Sequence, residues 1–361
     1  MEHIQVRQSG RDPFTHRLTM AVLMFCNGLA MVYGSLLLLD KNFDLDRRST
    51  QAGLIVTITA IIGTLLLSDG VRVVVGGVFP KREDFVAMAN QVRRPVDRLL
   101  GFGMPMMRDG EMIVDHQVTA PTEEATAKPE PNLDKPELLG FDPYNTVHMV
   151  ALVFAVFVLG FVFATFLLSG EQDVSTSAWV FAISVIIQFG ILVGGSLLGV
   201  GLFFRRSWSA TLQRLGLDEP SSLSIGVGVI TAFGCLVALF IMAVIWVSIV
   251  GIDKYEAQNE AAEAVADSIS TIWLVLLVSV TSSVGEEIAF RGALQPIFGL
   301  WPTAVFFVLI HSQYLLTPAT FILFVPALAF GYLRRYYGLY AAIAAHFTFN
   351  FIQLIIPYLF G

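Results

Sequence analysis

Charge is what this sequence has least of. Asp, Glu, Lys and Arg make up 14% of its 361 residues, against about a quarter in ordinary soluble domains. Hydrophobic residues reach 55% and the mean hydropathy is +0.70, which excludes a water-soluble enzyme. Cysteine is nearly absent. Cys26 and Cys235 both lie inside apolar runs, so the chain carries neither a disulfide framework nor a cysteine metal-ligand pair. Basic excess is also missing: the net charge is −7 and the pI near 5.4, which argues against nucleic acid as a partner. There is no H-E-x-x-H helix and no G-x-S-x-G elbow around Ser279, Ser282, Ser283 or Ser312. No glycine-rich phosphate loop follows a strand pattern, and no solenoid-period repeat is present.

What remains is long apolar runs. A helix needs about 20 apolar residues to cross a hydrocarbon core of roughly 30 Å. Nine runs are counted, near 18–39, 52–68, 148–168, 178–203, 222–251, 269–292, 300–316, 319–337 and 339–360. They are continuously apolar rather than alternating, which excludes a β-barrel. The expected fold class is therefore all-α, a polytopic transmembrane helical bundle. The first run is too long for a usual signal-peptide core and lacks a clean cleavage site after it.

Basic residues set the expected orientation. Arg7, Arg11 and Arg17 precede the first run, nine basic residues fall in 70–147, and Arg205, Arg206 and Arg214 lie in 204–221. Arg334 and Arg335 sit between the last two runs, whereas 169–177 has no basic residue and 252–268 only Lys254. Nine alternating spans then place the N-terminus in the cytoplasm, with Lys41, Arg47 and Arg48 in 40–50 the one dissenting loop. The hydrophilic stretch divides the chain into a two-span unit (1–70), a cytoplasmic loop (71–147) and a seven-span unit (148–361). Within the loop, 81–101 reads as an interfacial amphipathic helix broken at Pro95, and the Pro- and Glu-rich 121–136 as a linker. Glu256, Glu260, Glu263 and Asp267 read as a solvated acidic helix face.

Against this background the ionisable residues inside late runs stand out. Nearly all 29 carboxylates are in loops or tails, with Asp69 at the edge of the second run. Only Glu286 and Glu287 lie well inside a run, together with Arg291. A charge at the bilayer centre costs roughly 3 kcal/mol on insertion scales, so such residues mark functional sites by default. Glu287 and Arg291, four apart, share a helix face and form a clamp. Glu286 projects about 100° away without a local cation, the placement of a group that takes and returns a proton. His311 and His346 also lie within late runs, and Asn350 follows His346 by four. A carboxylate base, an imidazole to share a water and two donors for an oxyanion are the parts of a hydrolytic site acting on a carbonyl. Glu286, His311 and His346 are an alternative two-histidine, one-carboxylate metal set, for zinc or another divalent ion. A membrane scaffold that keeps the polar cluster for a partner, and a proton-coupled transporter with Glu286 as carrier, are the rival functions. The second has no evident use for His346 with Asn350.

At these residues the sequence resembles the CPBP family, the CAAX-processing and bacteriocin-processing intramembrane proteases, which include the Ras-converting type of CAAX prenyl endopeptidase. The family's E-E-x-x-x-R motif matches Glu286, Glu287 and Arg291. Its F-x-x-x-H motif matches Phe307 and His311, and its H-x-x-x-N/D motif His346 and Asn350. The Phe290-Arg291-Gly292 context fits, and LQRLGL at 212–217 is a looser match. The resemblance covers about 178–361. It implies a glutamate-dependent endopeptidase in which Glu286 activates water, His311 helps hold it, His346 and Asn350 stabilise the oxyanion, and Glu287 and Arg291 hold the site together. No cofactor is required on this reading. Membrane lipid and a peptide or protein substrate are the expected partners, and a bacterial cytoplasmic membrane, with the site facing the cytoplasm, the expected location. One geometric conflict stands: a straight span starting at 300 carries His311 to ~16 Å, deeper than Glu286. Gly299 and Pro302 allow a late start, a tilt or a re-entrant entry.

Overall fold

The computed structural model describes residues 13–39, 47–79, 106–108, 111–113, 140–169, 178–203, 206–218, 220–256, 269, 271–311 and 318–360. In chain order its helices are α1 (Pro13–Leu39), α2 (Arg47–Leu65), α3 (Asp69–Gly76), α4 (Thr146–Ser169), α5 (Ala178–Gly199), α6 (Trp208–Leu215) and α7 (Ser222–Val250). There follow α8 (Ile272–Glu286), a π-helical segment (Glu287–Leu294), α9 (Gln295–Phe298), α10 (Leu300–Leu309), α11 (Pro318–Ile322), α12 (Phe324–Tyr337) and α13 (Leu339–Phe360). Two three-residue strands, β1 (Met106–Arg108) and β2 (Glu111–Ile113), form an antiparallel hairpin. The described residues are otherwise mostly helical, as expected. The proposed interfacial helix at 81–101, the linker at 121–136 and most of the acidic loop lie outside the described residues.

Among the described residues six helices are long and apolar enough to cross a membrane, and a seventh span results if α2 and α3, bent by 99°, are counted as one. The expected count of nine is not reached among the described residues. Two late runs are the difference. In the run at 300–316 the described residues form the ten-residue α10, and the run at 319–337 is divided between α11 and the fourteen-residue α12. Ten residues of helix cover about 15 Å, half a bilayer core. The run ending near 292 is conversely longer than its apolar stretch: α8, the π segment and α9 continue to Phe298.

Small residues let α7 and α13 approach closely. Gly228 of α7 faces the backbone of Ala341 in α13 with no room for a Cβ, and Ala232, Ala342 and Ala345 complete the seam. The N-terminal helices share a core with the late ones: Leu66, Leu67, Met149 and Val153 pack with Phe290, Phe298 and Phe307. The corner after α2 is held by Arg72, fully buried. Its guanidinium donates to the carbonyls of Pro143 at 2.6 Å and Leu66 at 2.7 Å, and pairs with Asp69. Phe79 and Phe141 then pack on Phe298 with centroids 4.9 and 5.8 Å away.

The π segment has a local cause. Pro296 has no N–H to return to the preceding turns, and the bond closing the segment runs from Gln295 N–H to Phe290 O, five residues back. The carbonyls left behind find side chains instead. Arg334 Nε donates to Arg291 O at 3.2 Å, and Arg214 donates to Gly292 O at 2.9 Å and Ala293 O at 3.4 Å. Arg214 comes from α6, which Ser207 caps at one end and Gly216, at φ +83°, ends at the other. Burial foremost, then the neighbouring Arg206 and Arg334, pull the Arg214 guanidinium well below its ordinary value.

Candidate active site

The π segment is buried throughout, and the acidic pair straddles its start: Glu286 ends α8 and Glu287 opens the segment. The carboxylates, though adjacent, have different surroundings. Glu287 is completely buried, and its Oε1 accepts from Arg291 Nη1 at 2.8 Å and from His346 Nδ1 at 2.8 Å. The expected clamp is thus present and has a third member that spacing could not show. Arg291 is tied further: Nη2 donates to Ala327 O at 3.0 Å, and the guanidinium lies 4.3 Å from the Phe307 ring centroid. The Phe330 ring stacks on His346 with centroids 5.1 Å apart. A buried charge set of this kind holds only when each member keeps its partners.

Glu286 is nearly as buried yet far less engaged. Its Oε1 accepts from the Ser282 hydroxyl at 2.8 Å, while Oε2 has no hydrogen-bond partner. Facing Oε2 is His311 Nε2 at 3.9 Å, too long for a direct hydrogen bond. The other His311 nitrogen, Nδ1, lies 2.7 Å from Phe307 O. A carbonyl only accepts, so Nδ1 carries the hydrogen, and in the neutral ring Nε2 is a bare acceptor. Two acceptors 3.9 Å apart are the arrangement that one water, donating a hydrogen to each, would bridge.

The depth conflict at His311 resolves through helix length. Because the helix bearing Glu286 continues to Phe298, that carboxylate lies ~18 Å from its end. Gly299, at φ +86°, then turns the chain into α10, which brings His311 back ~16 Å from the start of the helix. The two meet at one level without α10 having to be a full span.

The structure therefore brings Glu286, His311, Glu287, Arg291 and His346 together. Asn350 joins by another route: its Nδ2 donates to Ser282 Oγ at 3.4 Å. Ser282, seen in the sequence only as an unsupported nucleophile, is the polar residue that sequence reasoning missed. Its spacing of four from Glu286 was the available signal. Among the described residues no group of three or more His, Cys, Asp or Glu is placed to hold a metal ion. Glu286, His311 and His346 do not form such a group.

Residues 268–352 match the family model described as type II CAAX prenyl endopeptidase Rce1-like. The match contains Glu286, Glu287, Arg291, Phe307, His311, His346 and Asn350. It is a protease family, so the match supports peptide-bond hydrolysis as the class of activity. No curated protein and no solved structure matches the chain.

Proposed function

We propose that this chain is an integral membrane endopeptidase that hydrolyses a peptide bond with a water activated by Glu286. The observation that carries the reading is the unpartnered Glu286 Oε2 facing the bare Nε2 of His311. A water between them gives a proton to Glu286 while its oxygen attacks the substrate carbonyl. His346 and Asn350, one helical turn apart on α13, supply donors to the resulting oxyanion. With Nδ1–H held by Glu287, His346 donates from Nε2 as the imidazolium, and the Glu287 carboxylate neutralises it. Glu286 then passes the proton to the leaving amine as the C–N bond breaks. Glu287 and Arg291 keep the parts in place. No step requires a metal.

The partners on this reading are membrane lipid and a peptide or protein substrate of the CAAX-like class. The setting is a bacterial cytoplasmic membrane, the site open to the cytoplasm. The test is cleavage of a peptide library, prenylated CAAX peptides included, by the protein in proteoliposomes. Glu286→Gln and His346→Ala should abolish the cleavage that wild type shows. Unchanged cleavage in both variants contradicts the assignment.

A further inference from the structure

We infer that Ser282 is a positioning residue that selects which oxygen of Glu286 reacts, and that Asn350 acts on the base through it. The inference rests on the reading of Glu286 as the base. Hydroxyls in membrane helices usually return their hydrogen to a carbonyl one turn back. Those flanking Ser282 do so: Thr281 Oγ1 donates to Leu277 O at 2.6 Å and Ser283 Oγ to Ser279 O at 2.6 Å. Ser282 departs from its neighbours. Its single hydrogen goes forward to Glu286 Oε1 at 2.8 Å.

The direction of that bond is enforced from α13. Asn350 Nδ2 donates to Ser282 Oγ at 3.4 Å, which occupies a hydroxyl lone pair and leaves the hydrogen for the carboxylate. Every donor in the series Asn350, Ser282, Glu286 thus points the same way, and the series ends on one oxygen. The other oxygen, Oε2, has no partner and faces His311. The charged groups around Glu286 do not perform this selection. Glu287, Arg291 and His346 are bonded to one another, and His311 lies on the Oε2 side. Without Ser282, no direct hydrogen bond holds either oxygen of Glu286 in place.

Ser282→Ala should lower kcat about tenfold or more, the value of a hydrogen bond to a charged group, and leave KM unchanged on any quenched peptide that wild type cleaves. Ser282→Thr, which keeps the hydroxyl, should restore most of kcat, and Ser283→Ala should behave as wild type. Wild-type kcat in Ser282→Ala, or no rescue by Thr, overturns the inference. A second measurement needs no substrate: infrared spectra of protein labelled with 13C-glutamate in proteoliposomes. The carboxylate stretch missing from Glu286→Gln belongs to Glu286. It should shift in Ser282→Ala and return in Ser282→Thr, and an unshifted band overturns the positioning role. Failure of wild type to cleave any peptide would instead count against Glu286 as the base, which separates the two failures.

Discussion

Glu286 and Glu287 are neighbours in sequence, chemically identical and both buried, yet the protein treats them as opposites. Glu287 engages two partners through Oε1, Arg291 and His346, each at 2.8 Å, while its Oε2 is buried without a hydrogen bond. Glu286 has a single hydroxyl donor, and its open oxygen faces His311 at 3.9 Å. Burial alone therefore does not set what a carboxylate is bonded to. What separates the two is whether the charge is already neutralised. A carboxylate that ties a guanidinium to an imidazole is a structural joint, and one facing an imidazole across 3.9 Å is placed for a bridging water.

The comparison breaks most severely where the joint is removed. Arg291→Ala leaves Glu287 buried beside a gap and should cost about 3–5 kcal/mol of stability, the range for halving a buried pair. Thermal unfolding in detergent and protein abundance in membranes would both show the loss, and both should fall further than in Glu286→Gln. Next comes His311→Ala, which touches only the open side. It should lower kcat about 100-fold, within the range for proton-transfer groups, with an unfolding temperature near that of wild type. Smaller again is Arg214→Ala, which strips a donor from the Gly292 and Ala293 carbonyls and should cost about 1–3 kcal/mol in the same unfolding assay. The smallest expected effect is that of a chelator. On the Glu286 reading cleavage continues unchanged, whereas a loss restored by added zinc would bring back Glu286, His311 and His346 as a metal set.

Much of this contrast was legible in the sequence, and the limit was range. The Glu287–Arg291 pair follows from a spacing of four on one helix, and the fold class from the length of the apolar runs. Glu287 with His346, 59 residues apart, and Asn350 with Ser282, 68 apart, depend on how helices pack, which no local pattern encodes. The count of nine spans is not reached among the described residues for a related reason. Arg291, Gly292 and Gln295 interrupt the hydropathy of a helix that continues to Phe298, because their polar atoms are met by Ala327, Gly331 and the arginines of α6 and α12. A run of 17 residues at 300–316 read as a span, but the helix stops at Leu309. The site needs that short helix, since its end delivers His311 to the level of Glu286.

The central claim is that adjacent carboxylates divide chemistry from structure, and one paired measurement reaches it directly. Glu286→Gln and Glu287→Gln, in proteoliposomes, would be compared for peptide cleavage and for unfolding temperature. The account predicts a crossed result: Glu286→Gln loses cleavage by about 1000-fold or more and melts like wild type, whereas Glu287→Gln melts well below it. Wild-type cleavage by Glu286→Gln, or equal melting of the two variants, would contradict it.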